Sequence, residues 1–212
     1  GGKAGEDLGG EQPLGGTWAQ IADGVDEVRL AARNEIRRGA HHIKIMASGG
    51  VASPTDRVDS TGYSVEEIEA VVREAEAANR YVAAHAYTAK AVNRALEAGV
   101  RSIEHGNLLD DSSISLFKKH DAFLVMNLVT YWAMAREGKE CGLDPISLDT
   151  ISDVLDGGYQ ALEKAIQSKI RLAFGTDLLG SLQKYQNREF EIRADFQPSI
   201  EILRSATTVG AE

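Results

Sequence analysis

Short apolar runs alternate with segments of helical period along most of the chain, and this alternation constrains the fold more than any other feature. The runs cover residues 42–46, 81–85, 101–105, 122–127 and 171–176. Each is too short for a helix, and all but 101–105 are rich in Val, Ile, Leu, Phe or Ala, which reads as a strand. Helices are expected at 24–38, 64–79, 88–98, 111–119 and 148–168. Asp23 stands where it can cap the first, and Gly39 and Gly99 follow the ends of two others. Ser64 and Glu67 have capping-box spacing, in which hydroxyl and carboxylate satisfy free backbone donors at a helix start. Residues 1–20 are Gly-rich and read as a loop; 128–145 read as a long connection carrying Tyr131, Trp132 and Cys141. Parallel neighbours need a crossover of about a dozen residues or more, so steps of this size predict a parallel sheet with helical crossovers. A barrel and a doubly wound sheet both satisfy the pattern.

Composition narrows the partners. Lys and Arg number 23 against 32 Asp and Glu, a net charge of -9, and such a field repels nucleic acid and anionic membrane surfaces. No apolar run reaches membrane-span length, and the first residues lack the apolar stretch of a signal peptide. One cysteine, Cys141, excludes an internal disulfide and a Cys-rich zinc site, which suits a reducing, cytoplasmic setting. The chain opens without Met and stops within a helical pattern, so both ends read as cut.

Lys44, His85, His105 and Asp177 each fall at or near the C-terminal end of a different expected strand. In parallel α/β folds that edge carries the active site, because strand-end side chains converge there while the helices stay outside. Alternation puts His42, Lys44 and Met46 on one face and Ile43 and Ile45 on the other, so Lys44 is expected to be buried inside a barrel. A desolvated neutral lysine can react with carbon dioxide, and the resulting carbamate offers two oxygens to metal ions. His85 is grouped with Tyr81 and Ala83, and His105 with Ile103, so both imidazoles are expected on the Lys44 face. Neutral imidazoles suit zinc, and an Asp177 carboxylate can bind metal and move the proton of an attacking water. Taken singly, each residue has an ordinary structural role: a hydrogen-bonded histidine, a snorkelling lysine, a capping aspartate. Four in barrel order point to a site.

These residues also carry a resemblance. The segments around Lys44 (Ile43 to Gly50), His85-Ala86-Tyr87, Ile103-Glu104-His105-Gly106 and Phe174-Gly175-Thr176-Asp177 resemble the amidohydrolase superfamily, in its imidazolonepropionase-like and prolidase-like dipeptidase branch. The resemblance implies a distorted (β/α)8 TIM-like barrel of the metal-dependent hydrolase type, with a small β-sandwich. It implies two zinc ions bridged by a carbon dioxide-derived carbamate on Lys44. His85 and His105 would hold one ion, and Asp177 would bind the other and act as general base. The family's His-x-His pair is not in this sequence. Residues 1–212 are accordingly expected to be a partial barrel domain of about five βα units, strands four to eight, with the earlier strands and the sandwich upstream.

Tyr63, in the loop after the lysine strand, is a candidate for polarising the substrate carbonyl, or simply packs beside Ser64. Tyr131 and Trp132 are candidates for a leaving-group pocket. Arg188 and Arg193 could grip a substrate carboxylate, with surface solvation the competing fate, and His120 is expected not to be a ligand. The leading function is hydrolysis of a dipeptide or N-acyl amino acid by metal-activated water. Cyclic-amide hydrolysis, and a non-catalytic scaffold or homo-oligomer-forming chain, are the alternatives. Ser48-Gly49-Gly50-Val51 lacks the spacing of a nucleotide-binding loop.

Overall fold

The structure, a computed structural model, describes residues 19–52 and 55–212. The expected loop at 1–20 lies almost wholly outside the described residues. Five parallel strands form one sheet in sequential order: β1 (His42–Met46), β2 (Tyr81–Thr88), β3 (Ser102–Leu108), β4 (Phe123–Met126) and β5 (Arg171–Phe174). Helices α1 (Val25–Arg37), α2 (Val65–Ala77), α3 (Ala89–Glu97) and α4 (Asp111–His120) intervene, and α5 (Leu128–Glu137) and α6 (Pro145–Ser168) both lie between β4 and β5. Sequential order with every neighbour parallel is the topology of a barrel wall, and it removes the doubly wound sheet, whose strand order reverses at a switch point. A 3-10 turn (Gly180–Tyr185) and helices α7 (Arg188–Ala194), α8 (Ser199–Ala206) and α9 (Thr208–Ala211) complete the chain.

The core lies between the sheet and its helices. Ile43, Ile45, Val82, Ala84, Ile103 and Leu124 are buried in one apolar cluster with Ala75, Leu96, Phe117 and Leu162 from the helices. The capping box forms as expected: Glu67 N–H donates to Ser64 Oγ and Ser64 N–H to Glu67 Oε2. Thr88 caps α3 through Ala91 N–H.

Three expectations are corrected. Gly24, not Asp23, stands at the start of α1 with a φ of 83°, a conformation that favours glycine, and its N–H is taken by Glu67. The connection at 128–145 is half helix: α5 follows β4 at once, buries Leu128, Val129, Tyr131 and Ala133, and was masked in the sequence by its mixed apolar and aromatic run. Lys44 is exposed rather than buried. The face formed by His42, Lys44 and Met46 is exposed, with no element packed over it among the described residues. Among the described residues no helix is long and apolar enough to cross a membrane.

Candidate active site

The strand register decides which side chains share the open face. Lys44 lies opposite Ala83 and Met46 opposite His85, while His85 lies opposite Glu104. Neighbours in register point to the same side of a parallel sheet, so Lys44, His85 and Glu104 belong together. The same reasoning sends Ile103, which pairs with Ala84, to the helix-facing side. By strict alternation His105 would follow it, and grouping the two residues is corrected on this point. His105 reaches the site because the backbone turns there: His105 has a φ of 77° and Gly106 a φ of 62°, and pairing with β2 becomes irregular after Ala86. The His105 ring ends 4.4 Å, centroid to centroid, from that of His85, edge-on at 76°.

Among the described residues, five that are not glycine have positive φ. Three of them, Asn79, Asp121 and Lys169, end helices, where a left-handed residue closes the last turn. The other two are His105 and Asp177. Left-handed backbone at a non-glycine residue persists only where surrounding contacts impose it, and such residues cluster at functional sites.

Each imidazole is fixed through one nitrogen. His85 Nε2 lies 2.9 Å from the Gly49 carbonyl, so that nitrogen carries the proton and Nδ1 keeps its lone pair. Gly49 lies so close to the following loop that a Cβ there would fall 2.1 Å from the Arg57 carbonyl oxygen. His105 Nδ1 lies 3.1 Å from Asn127 Oδ1 and 2.7 Å from the Tyr131 hydroxyl. With Asn127 Oδ1 accepting, Nδ1 is protonated and Nε2 is free. Tyr131 O–H donates to the Tyr87 hydroxyl at 3.0 Å, and the Tyr87 ring stacks on His105 at 4.9 Å. The chain His105, Tyr131, Tyr87 thus leaves the Tyr87 proton as its open end.

Electrostatics mark the same group. Burial holds His85 down to about 4, with Lys44 adding to the shift and the Gly49 carbonyl opposing it. Burial, and then the charges of His85 and Lys44, hold His105 well below the usual histidine range. Both rings are therefore neutral at pH 7. Burial pushes the Glu104 carboxyl up while Ser102 Oγ donates to Oε1 at 2.7 Å and Lys44 pulls it down. Desolvation also pushes Asp177 up, opposed by Lys44. Asp177 is exposed as a residue although its carboxyl is partly desolvated by the protein around it. Lys44 acts on His85, His105, Glu104 and Asp177 alike, so these five groups share one electrostatic site. Among the described residues no three of His, Cys, Asp and Glu gather closely enough to hold an ion by themselves.

Helix α5 organises the mouth. Asn127 at its start and Tyr131 in its first turns both hold His105, and Thr130 Oγ1 donates to the Asp177 carbonyl at 3.0 Å. Tyr131, expected in a loop lining a pocket, is instead buried behind His105. Tyr63 is half-buried, and its phenol is raised by burial, Glu67 and Asp23, so its neighbours are helix starts rather than the histidines. Trp132 stands on the outer side of α5 against Tyr185, with Arg136 and Arg188 over its ring. Arg188 is exposed and pairs with Glu191, but Arg193 has no solvent exposure and pairs with Glu189, which corrects the expectation of a surface residue. His120 lies away from the site at the end of α4. Sequence reasoning missed Tyr87, Glu104, Asn127 and Glu189. Glu104 was legible from its two-residue spacing to Ser102 on the site face; the other three needed coordinates.

Comparison with known proteins agrees with this fold. Residues 7–212 match the amidohydrolase family. Ochratoxinase of Aspergillus niger is 34% identical over 212 residues, covering 96% of this chain and 44% of that protein. A crystal structure described as a prolidase complexed with N-methylphosphonate-L-proline is 52% identical with a TM-score of 0.88, covering 91% of this chain and 47% of that one. A Xaa-Pro dipeptidase with bound methionine is 27% identical with a TM-score of 0.82, covering 92% and 50%. The chain thus spans about half the length of these relatives. With its parallel barrel-wall strands and its strand-end histidines, lysine and aspartate, this chain belongs to the amidohydrolase family.

Proposed function

We propose that the protein is a zinc-dependent amide hydrolase acting on dipeptides or N-acyl amino acids, of the Xaa-Pro or Xaa-Arg/Lys type. The observation that carries this reading is the pair of buried neutral imidazoles. Each has one nitrogen engaged by the protein and the other left with a lone pair, and both rings lie within the electrostatic reach of Lys44. That donor set fits zinc, which takes neutral imidazole nitrogen and carboxylate oxygen and relies on outer partners to orient its histidines. His85 Nδ1 and His105 Nε2 would hold one ion. Lys44, as its carbon dioxide-derived carbamate, and Asp177 would complete the protein's contribution to two. Zinc, when bound, acidifies water and screens negative charge on the amide oxygen.

The side chains supply the rest. Asp177 accepts a proton from the attacking water and delivers it to the departing amine nitrogen, a role helped by a carboxyl raised toward neutrality. The Tyr87 hydroxyl, whose proton is left uncommitted at the end of the hydrogen-bond chain from His105, is the candidate donor to the amide oxygen as the carbon becomes tetrahedral. Glu104 shares the face of Lys44, its carboxyl pushed up by burial. The five strands correspond, in this reading, to strands four to eight of the barrel, with the His-x-His strand and sandwich supplied by a preceding segment.

The proline preference is supported by similarity to the proteins described as a prolidase and a Xaa-Pro dipeptidase. In N-methylphosphonate-L-proline a tetrahedral phosphorus stands where a Xaa-Pro substrate has its amide carbon. The test is a panel of Xaa-Pro, Xaa-Arg and Xaa-Lys dipeptides, N-acyl amino acids and a cyclic amide, assayed with zinc and after chelation. Turnover of a linear amide that chelation abolishes and zinc restores is expected. Ring opening alone would move the function to cyclic amides, and a protein without stoichiometric zinc would be a scaffold.

A further inference from the structure

We infer that Glu189 is a positioning residue for His105: by capping helix α5 from outside, it frees Asn127 to hold the imidazole. Asn127 occupies the N-cap position of α5, where an Asn side chain ordinarily accepts a hydrogen bond from the first-turn backbone. It makes no such bond, and its Oδ1 is turned to His105 Nδ1. The cap comes from a residue 60 positions away, since Val129 N–H donates to Glu189 Oε2 at 2.7 Å and Leu128 N–H bonds to the same carboxylate. A charged acceptor meets the partial positive charge at a helix start better than a neutral amide does.

Glu189 is held for this task. It has no solvent exposure, and its other oxygen accepts from Arg193 Nε at 2.8 Å. Arg193, equally buried, donates through Nη2 to the carbonyls of Met126 at 2.6 Å and Ala173 at 3.0 Å. These carbonyls lie on β4 and β5, the strands that lead into Asn127 and Asp177. The carboxylate is thereby referenced to the strands beneath the site. Without it, Asn127 Oδ1 would have to serve both α5 and His105. An amide oxygen can only accept, so Asn127 forces the proton onto His105 Nδ1 and leaves Nε2 free. A tyrosine hydroxyl can accept or donate, so Tyr131 alone would leave both tautomers open.

The inference rests on the proposed function only for its consequence, a metal-facing Nε2. Its test is independent of hydrolysis: long-range 1H–15N spectra of the metal-free chain labelled at histidine, which distinguish Nδ1–H from Nε2–H rings. In the parent, His105 is expected as Nδ1–H and His85 as Nε2–H. Glu189→Gln is expected to give a mixture at His105, to leave His85 unchanged, and to weaken zinc binding by about 10-fold or more, the usual effect of losing an outer partner. Adding Asn127→Ala to Glu189→Gln should shift His105 no further than Asn127→Ala alone, because both act through one oxygen. The proposal fails if Glu189→Gln leaves His105 in its parent tautomer, if both histidines shift together, or if the two substitutions add. Should Glu189→Gln not fold, hydrogen exchange at Val129 in Asn127→Ala decides: a protected amide supports an outside cap, and a lost one overturns it. Tautomers that behave as expected in a chain that binds no zinc would sink the hydrolase reading and leave this one standing.

Discussion

The two sides of the sheet's mouth are built in opposite ways. At the β1 side, Lys44 stands exposed on an edge strand with no roof among the described residues. At the β4–β5 side, Arg193, Glu189, Tyr131 and Asn127 are buried and satisfy one another's polar groups. Half of the site is therefore finished by the described residues, and half presents its groups to a space that the described residues do not close. A buried ion pair is costly to assemble and costly to break, so the finished side should fail abruptly under mutation. The open side should tolerate substitution in its fold while losing function.

Substitutions can break that contrast, and the largest effect is expected in activity. Asp177→Asn should lower kcat, measured at saturating zinc, by about 10²- to 10⁴-fold, because the proton acceptor and one metal-facing carboxylate are lost together. Steady-state kinetics on a linear amide checks this, and an unchanged kcat would remove Asp177 from the chemistry. On the finished side, Arg193→Met leaves Glu189 buried without its partner. A loss of about 3 to 5 kcal/mol in denaturant unfolding is expected. A loss below about 1 kcal/mol would show that the corner is not a keystone.

A pH titration of the metal-free chain should show the next largest effect. His85 titrates near 4 in the folded protein against 6.5 for an unperturbed ring. The unfolded chain then binds the proton first, so this contribution is complete above about pH 6.5, declines as the pH falls, and is exhausted below about 4. The span corresponds to roughly 3 kcal/mol for a buried group, and His105, shifted the same way, adds to it. Stability independent of pH across this window would contradict the buried neutral rings. The smallest effect is expected on the open side: Lys44→Ala should change stability by no more than about 0.5 kcal/mol, as for an exposed surface residue. It should nonetheless abolish stoichiometric zinc, measured by metal analysis, and intact zinc content would remove Lys44 from the ligand set.

Much of this architecture was written locally. Period-two and helical-period runs, the Ser64–Glu67 box and the glycines after α1 and α3 are short-range signals, and the strands they predict carry Lys44, His85, His105 and Asp177 to one edge. The amidohydrolase resemblance rests on those same short segments. Helix α5 escaped because its first turn has no cap of its own and its run of Leu, Val, Thr, Tyr and Trp suits a strand or loop as well as a helix. Tertiary structure alone decided which face His105 occupies, since a left-handed turn reverses the alternation that local pattern predicts. It also decided that Arg193 is buried rather than solvated, because its partners are carbonyls on two strands and a carboxylate one helical turn earlier. Periodicity reports what a residue does within its own element; the state of a ring nitrogen or a buried charge depends on groups that folding brings from elsewhere in the chain.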